Sequence, residues 1–447
     1  MGPVEGPQNA DVAIVGGGLA GLILARAGRR VALFEQGDTL GGRARTEVRG
    51  AFHFNLGPHA LYLGGEHARM LRELGIRYPG GPPRAPGSAL HAGTRFRLPR
   101  TPRQLLTSRL LSWRGRLEIA RLFQTLPAMD TAILARVSLG EWLDTRFHHP
   151  TTRQLAAAYA RLSTYSNDPC GLSAGAALDQ MRLSQAAGVH YVDGGWRTLV
   201  ASLAAAARAA GASIITGARI LRVERDERGV RAVRGVEGWR CAAPSVILAA
   251  GPRAASEWVE DSAATPLPGW ADAARPVYAA CLDVGLRRLP APTNTFALGI
   301  DQPLYYSVNS TAARLAPDGA ALIHVAKYGS SAPDAGLDGA EAELEGVLDL
   351  LQPGWRELLV DRRYRRRMTV THALVTAHQG GRGGRPGPAV PGVAGLYVCG
   401  DWVGPRGMLS DASVASARDA AALILAGRRP TDAGRTARHP DARAGSP

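Results

Sequence analysis

The first 35 residues contain the feature that most constrains the fold of this chain. Two short apolar runs are separated by a glycine-rich turn and by a stretch with helical periodicity, and the second run ends on an acid. In order, the segments are Val12–Val15, the glycines Gly16, Gly18 and Gly21, the helical stretch Leu19–Ala27, and Val31–Phe34 followed by Glu35. Short continuous apolar runs are typical of buried parallel strands. The order strand, glycine turn, helix, strand, acid is that of a unit that binds a dinucleotide.

Each residue type in this unit has a physical reason. Gly16 permits the tight turn, Gly18 lets the backbone approach a pyrophosphate, and Gly21 lets the helix lie close to the strand. The helix N-terminus offers free N–H groups and a partial positive charge to phosphates. Glu35 can accept hydrogen bonds from a ribose. A lone G-x-G-x-x-G is weak evidence among 54 glycines, but here the strand and the acid are also in place.

A second glycine motif follows the acid, with Gly41, Gly42, Arg43 and Thr46. The pattern Glu-x5-Gly-Gly-Arg-x-x-Thr resembles the two-dinucleotide-binding flavoproteins that include phytoene desaturases, protoporphyrinogen oxidases and flavin amine oxidases. The resemblance implies FAD as the cofactor. It also implies an α/β fold class, in which an FAD-binding Rossmann-like domain is interleaved with an α+β substrate domain and a helical cap.

Further matches to these flavoproteins recur in the middle and at the end of the chain. Gly57-Pro58-His59 matches a segment that passes the flavin ring, and Val223 matches a residue whose backbone meets adenine. Near the C-terminus, Asp401 matches an acid at the ribityl or phosphate region, and the final helix opens toward the flavin near Met408. The cofactor-binding residues implied by the resemblance are Gly16, Gly17, Gly18, Ala20, Gly21, Glu35, Gly42, Arg43, Gly57, Pro58, His59, Val223, Gly251, Gly400, Asp401, Met408 and Leu409.

The chain departs from the family pattern in the length of its first helix. The third glycine and the acid, Gly21 and Glu35, are about four residues closer together than is usual in these flavoproteins. Four residues correspond to one turn of about 3.6 residues, or roughly 6 Å of rise. Losing one turn keeps the helix facing the same way, so we expect the phosphate end of the site to survive and the nucleotide half to be looser.

The motifs divide the chain into interleaved segments. We predict an FAD-binding domain formed by residues 10–60, 188–255 and 393–427, and a substrate domain with a helical cap formed by residues 61–187 and 256–392. An antiparallel sheet with helices on one side would suit this substrate half. Residues 1–9 and 428–447 are predicted to be disordered.

Composition excludes some functions. The net charge is +15, from 53 basic and 38 acidic residues, and Lys327 is the single lysine. The arginines are spread along the chain rather than concentrated on one element with aromatics, which argues against nucleic acid as a partner. The four cysteines are scattered and form no metal-ligand spacing, so we expect reduced thiols and no metal site. No apolar run reaches 18 residues, no leader is evident, and we expect a cytoplasmic protein.

Residues 102–146 have helical periodicity and a strongly basic character. Between Arg97 and Arg121 there are seven arginines and one acid, Glu118, with Trp113 among them. Two interpretations stay open. The segment is a cap over a substrate cavity with a solvated arginine face, or it also contacts a membrane surface, as basic amphipathic helices do. The second arginine cluster, at residues 361–368, is interpreted as a solvated strand edge.

The chemistry expected from a flavin needs few catalytic side chains, because the cofactor carries the hydride step. We therefore name no catalytic residue, and only His59 and Trp402 are candidates near the ring, each with a purely structural alternative. Flavin amine oxidases often place a lysine near the flavin on an early strand of the substrate domain. The corresponding segment here, residues 276–286, has none, and Lys327 lies well after it.

Three functions follow as hypotheses. The first is an FAD-dependent dehydrogenase or desaturase that transfers hydride from a C–H bond of an apolar substrate, of the isoprenoid, carotenoid or tetrapyrrole kind, to flavin N5. The second is an amine oxidase-like enzyme that uses O2. The third, favoured by the shortened helix, is a flavin-poor subunit that binds a partner. The electron acceptor, whether O2, a quinone or another molecule, stays open.

Overall fold

The computed structural model describes residues 6–17, 25, 28–83, 87–236, 238–331 and 336–427. Gly18, Ala20, Gly21 and all of the predicted helix Leu19–Ala27 except Ala25 lie outside the described residues, as do residues 1–5 and the predicted tail 428–447. At the start of the chain, Gln8 and Asn9 pair with the backbone of Ala242. The expectation that residues 1–9 are loose is therefore wrong for these two, because they extend the edge of a small sheet.

The described residues form the following strands and helices. The strands are Val12–Val15, Val31–Phe34, Thr46–Arg49, Phe52–Asn55, Leu61–Tyr62, Gly80–Gly81, Ser88–His91, Thr94–Arg97, Val189–Val192, Ser213–Ile215, Ile220–Asp226, Gly229–Gly235, Arg240–Ala242, Val246–Leu248, Val277–Leu286, Phe296–Gly299, Leu304–Val308, Ala321–Tyr328, Leu359–Thr371 and Leu396–Val398. The α-helices are Glu66–Glu73, Pro102–Leu106, Trp113–Thr125, Leu139–Arg146, Pro150–Thr164, Ala174–Ala187, Arg197–Ala209, Pro252–Trp258, Leu267–Ala273, Ala340–Leu351 and Leu409–Leu425.

The nucleotide sheet is formed by five parallel strands from three distant parts of the chain. Their order across the sheet is Ser213–Ile215, Val31–Phe34, Val12–Val15, Val246–Leu248 and Leu396–Val398. The last four are buried throughout, as the continuous apolar runs predicted. All five strands end at the same edge, and in open parallel sheets ligands bind outside that edge.

The substrate sheet has seven strands. Their order is Leu359–Thr371, Val277–Leu286, Ala321–Tyr328, Leu304–Val308, Phe296–Gly299, Ser88–His91 and Thr94–Arg97. Neighbours are antiparallel except Phe296–Gly299 with Ser88–His91, which run parallel. The strands of the two sheets come from the segments predicted for the two domains, and the domain bounds themselves stay predictions.

Helices cover both faces of the substrate sheet, so the expectation of helices on one side is wrong. Successive strand residues point to opposite faces, and both faces here are apolar. Tyr306 and Val325 pack toward the helix Ala340–Leu351. Tyr305 and Ala326 pack toward the helical cap.

A buried charge network joins the substrate sheet to the hairpin formed by Thr46–Arg49 and Phe52–Asn55. Arg363 is 5% exposed, and its guanidinium lies 2.6 Å from the carboxylate of Asp283 and 3.0 Å from that of Glu47. The other Asp283 oxygen contacts His324 Nδ1 at 2.5 Å and accepts from the Cys281 thiol at 3.2 Å. Burial alone would raise the pKa of Asp283, but His324 and Arg363 outweigh it and hold the pKa below its usual value.

The network corrects the interpretation of residues 361–368 as a solvated edge. Arg362 and Arg366 do form partly exposed ion pairs with acids outside the strand, but Arg363 points inward. Cys281, Asp283 and His324 also offer ligand atoms within 4.8 Å of one another. Arg363 contacts Oδ2 of that carboxylate, whereas His324 and Cys281 contact Oδ1, so the same three groups also form the hydrogen bonds of the buried network.

We expect Arg363→Met to lower the free energy of unfolding by about 3–5 kcal/mol, since it leaves the buried Asp283 charge without its cation. The matched control Arg362→Met breaks a partly exposed pair and should cost at most about 1 kcal/mol. Urea denaturation of both variants measures the difference. If Arg363→Met does not fold, the double variant Arg363→Met/Asp283→Asn, which removes both charges, takes its place in the comparison. Equal losses of unfolding free energy for Arg363→Met and Arg362→Met would contradict the assigned role of Arg363.

Candidate active site

A cavity of about 780 Å³ runs from the carboxyl edge of the nucleotide sheet to the substrate sheet. Gly16, Gly17 and Glu35 line its nucleotide end, and Tyr165 and Tyr328 line its far end. A cavity of this size at the switch point of a parallel sheet is typical of a cofactor and substrate site.

Glu35 is placed as the acid of the dinucleotide unit. It directly follows the buried strand Val31–Phe34, and its two carboxylate oxygens accept from the backbone N–H of Gly17 at 3.1 Å and of Gly37 at 2.9 Å. These bonds fix the carboxylate at the cavity wall, next to the glycine turn. Each oxygen keeps a lone pair for a ribose hydroxyl.

Arg43 and Asp401 form an ion pair between the first and last motifs. The guanidinium donates to Asp401 Oδ2 at 2.7 Å and to the carbonyl of Val370 at 2.7 Å, and it meets His372 Nδ1 at 3.1 Å. Asp401 is buried, and it also accepts from the backbone N–H of His372 at 3.1 Å. Burial alone would raise the pKa of Asp401, but the charge of Arg43 and the bonds from His372 hold it well below its usual range.

Pro58 and His59 line the cavity, and Gly57 directly precedes them. Gly57 has φ +77°, a backbone conformation that favours glycine, and an added Cβ would lie 2.4 Å from the end of the Met368 side chain. The two ring nitrogens of His59 lie 3.0 and 3.1 Å from the carbonyls of Gly57 and Arg43. Burial lowers the pKa of His59 to about 4, so it is neutral at pH 7. This hydrogen bonding matches the structural alternative for His59.

The other predicted site residues fall into those that line the cavity and those that lie behind its wall. Those that line it are Gly16, Gly17, Glu35, Gly42, Arg43, Pro58, His59, Gly251, Gly400 and Leu409. Asp401 lies behind Arg43, and Met408 lies directly before Leu409, where the final helix begins. Gly18, Ala20 and Gly21 are outside the described residues.

Val223 is not among the described residues that line the cavity, and its predicted contact with adenine stays a prediction. It is fully buried, and its carbonyl accepts from the backbone N–H of Glu260 at 3.1 Å. Ile220, three residues earlier on the same strand, does line the cavity.

Trp402 is also placed in the core rather than beside the cavity. It is 2% exposed, its indole N–H donates to the carbonyl of Ala250 at 2.9 Å, and it packs near Trp270. These contacts match the structural alternative, a tryptophan packed in the core.

Three tyrosines, two tryptophans and two histidines of the cavity were missed by sequence reasoning. Trp196 lies close to the rings of His59 and His67, with centroids 4.8 and 5.5 Å away. His67 is 5% exposed, and neither of its ring nitrogens has a partner among the described residues. The cavity-lining tyrosines, tryptophans and histidines missed are Tyr62, Tyr165, Trp196, Trp258, Tyr328, His67 and His372. No local motif marks them, because they come from distant segments.

The final helix begins at the cavity wall. Leu409 and Ser410, at its first positions, line the cavity, and Leu409 adopts φ +53°, which is uncommon outside glycine. Asp411 follows in the first turn and accepts from the backbone N–H of His67 at 2.9 Å, while its other oxygen is buried and has no hydrogen-bond partner among the described residues. Burial and the nearby Glu66 raise the pKa of Asp411 to about 6.

Comparison with known proteins places this site in a family. The family model for flavin-containing amine oxidoreductases matches residues 19–425. The chain belongs to this family. It is an FAD-dependent oxidoreductase, which decides against the flavin-poor subunit. A search of curated protein sequences finds no match.

Solved structures share the fold over almost the whole chain. A redesigned triple mutant of putrescine oxidase matches with a TM-score of 0.73 at 18% identity, covering 94% of this chain and 99% of that chain. An oxidoreductase from Methanosarcina mazei matches with a TM-score of 0.69 at 18% identity, covering 91% of this chain and 98% of that chain. A putative protoporphyrinogen oxidase from Exiguobacterium sp. 255-15 matches with a TM-score of 0.65 at 18% identity, covering 95% of this chain and 100% of that chain.

The described residues fit FAD. Glu35 supplies an acceptor for the ribose, and Arg43 supplies a positive charge at the cavity wall beside the buried Asp401. The N-terminus of the helix Leu409–Leu425 directs its partial positive charge at the cavity. A carboxylate at one end of the site, a guanidinium and a helix N-terminus are the donors and acceptors that a dinucleotide requires.

We expect Glu35→Ala to weaken FAD binding by about 10- to 100-fold. Each lost hydrogen bond to a charged acceptor contributes about 1.5–3 kcal/mol, and 1.4 kcal/mol is tenfold. Titration of the flavin-free protein with FAD, followed by flavin fluorescence, measures the change. Glu227→Ala, at an exposed turn, is the control, and equal affinities for the two variants would show that Glu35 does not hold the ribose.

We expect Asp411→Asn to stabilise the flavin-free protein at pH 8 more than at pH 5. The folded-state pKa of about 6 lies above the unfolded value of 3.8, so the stability from this carboxyl is lost as the pH rises from 4 through 6. An uncharged amide avoids that loss, which is at most about 3 kcal/mol. Thermal unfolding at both pH values measures it, with Asp419→Asn on the same helix as control. A stabilisation independent of pH would refute the assignment.

Proposed function

We propose that this enzyme oxidises an apolar substrate, of the isoprenoid or tetrapyrrole kind, at a C–H bond. FAD, when bound, supplies the hydride acceptor at N5. The observation that carries the proposal is the uncharged far end of the cavity, where Tyr62, Tyr165, Tyr328, Ala326 and Met368 form the wall.

Charged side chains are confined to the nucleotide end. Among the described residues that line the cavity, Glu35 and Arg43 are the only acid and the only guanidinium. Burial lowers the pKa of both His59 and His67 to about 4, so these rings are neutral at pH 7. A cationic substrate would lose its hydration at the far end without meeting a counter-charge, which is costly. An apolar substrate gains from the same wall.

The strand that would hold a lysine in amine oxidases presents alanine here. Ala279, on Val277–Leu286, lines the cavity. Lys327 instead points to the opposite face of the sheet and pairs with Glu343 on the helix Ala340–Leu351 at 2.5 Å. Within the part of the chain that the structure describes, the far end of the cavity therefore has no amine to bind water or protons.

An amine oxidase-like reaction with O2 is the second candidate, because aromatic faces also line the cavity. Tyr165 and Tyr328 lie 6.1 Å apart in an edge-to-face arrangement. Such faces attract an ammonium group through cation–π interactions of about 0.5–2 kcal/mol. The family description and the structural likeness to putrescine oxidase support this candidate as well.

Anaerobic reduction of the FAD-loaded enzyme separates the two candidates. We expect polyisoprenoids or porphyrinogens presented in detergent to bleach the oxidised flavin absorbance, and aliphatic mono- and diamines to leave it unchanged. Bleaching by amines alone, with peroxide released on admitting O2, would replace the proposal with the second candidate.

The variant Tyr328→Leu sharpens the test. It keeps an apolar wall but removes a π face, so an apolar substrate should reduce the flavin at a rate within a few-fold of the original. The rate with an amine should fall about 2- to 30-fold if Tyr328 holds an ammonium group. Retained FAD absorbance and an unchanged melting temperature serve as controls for folding.

A further inference from the structure

The helical cap carries an exposed patch in which apolar and basic side chains alternate. We call it the cap patch, and we propose that it docks on an anionic lipid bilayer. Its members are Leu106, Arg109, Trp113, Arg114, Leu117 and Arg121, all of them exposed.

The helix Trp113–Thr125 explains why apolar residues face water. Ile119 and Leu122 point into the core and are fully buried. Trp113 and Leu117 lie four residues apart, so they share the outward face, and they are 64% and 50% exposed. Large apolar side chains that are exposed and adjacent mark an interaction surface.

Leu106 is held beside this helix by Arg116. The Arg116 guanidinium donates to the carbonyls of Leu106 at 2.7 Å, Ser108 at 2.6 Å and Leu111 at 3.3 Å. These bonds fix the end of the helix Pro102–Leu106 and the residues after it, and so hold Leu106, which is 71% exposed. Arg116 is thus a structural residue, whereas none of the ion pairs among the described residues involves Arg109, Arg114 or Arg121.

The charge of the cap patch selects an anionic partner. The one acid between Arg97 and Arg121, Glu118, is 14% exposed and already contacts His148 at 3.2 Å. The Arg114 guanidinium lies 5.2 Å from the centre of the Trp113 ring. An aromatic and leucines that insert at the headgroup level, flanked by arginines, are the arrangement of interfacial helices.

A bilayer fits the cap patch better than a second copy of this chain does. Two copies facing each other through the cap patch would bring like charges together, which opposes association. The described part of the chain holds no helix long and apolar enough to cross a membrane, so contact through the cap patch would be peripheral. This proposal does not depend on the identity of the substrate.

Sedimentation of the FAD-loaded protein with vesicles tests the proposal. We expect binding to vesicles of equal parts phosphatidylcholine and phosphatidylglycerol, weak binding to phosphatidylcholine alone, and loss of binding at high salt. Arg109→Gln/Arg114→Gln/Arg121→Gln should weaken binding about 100-fold, at about fivefold for each arginine. Trp113→Ser/Leu117→Ser should weaken it on both kinds of vesicle.

Matched variants elsewhere separate the cap patch from general charge. Arg77→Gln/Arg208→Gln/Arg253→Gln removes the same charge from exposed positions outside the cap, and Leu221→Ser removes an exposed leucine. The proposal is overturned if these controls weaken binding as much as the cap variants do, or if the original protein does not bind anionic vesicles. A lipid-free dimer that Trp113→Ser dissociates would overturn it too, because the cap patch would then be an interface between copies.

Discussion

The ion pair between Arg43 and Asp401 holds together parts of the chain that are more than three hundred residues apart. Arg43 belongs to the second glycine motif, Asp401 follows the last strand of the nucleotide sheet, and the carbonyl of Val370 brings in the end of the substrate sheet. A buried carboxylate is tolerated only where a cation and hydrogen bonds compensate for lost hydration. The relative placement of the two sheets, and with it the shape of the cavity between them, therefore depends on this pair.

Charge is distributed in the molecule according to what each region does. It is paired and buried where segments must be joined, as at Arg363 with Asp283, and it lines the cavity only at the nucleotide end. The substrate end is neutral, and the cap patch exposes Arg109, Arg114 and Arg121, which take part in none of the ion pairs among the described residues. A strongly basic protein can contain an apolar cavity because burying an unpaired charge is costly. Charged side chains are therefore found at the surface or in ion pairs.

Sequence predicted the nucleotide half well because its signals are local. The buried strands Val12–Val15 and Val31–Phe34 have the predicted bounds, since continuous apolar runs end abruptly at glycines and acids. Ile220 and Val223 are both apolar residues on one strand, and the pattern match that pointed to Val223 does not show that Ile220 is the one that lines the cavity. Arg363 was hidden in a run of arginines that suggests solvent on every side.

The far end of the cavity could not be predicted for a different reason. Tyr165 ends a helix of the cap, Tyr328 ends a strand of the substrate sheet, and His67 begins a helix near the nucleotide sheet. Only the tertiary packing brings them to one wall. The spacing of these residues along the chain does not reveal that they are close in space, whereas the dinucleotide unit is complete within 35 residues.

The alternation of faces in the substrate sheet has an evolutionary consequence. On Ala321–Tyr328, positions 326 and 328 face the cavity, while 323 and 325 pack toward the helix Ala340–Leu351. Neighbouring residues are thus under different selective pressures. Those that face the cavity are selected for contact with the substrate, and those that face the helix are selected for the stability of the fold. Exchanges at positions 326 and 328 can therefore reshape the cavity wall while the core beneath the sheet is inherited intact.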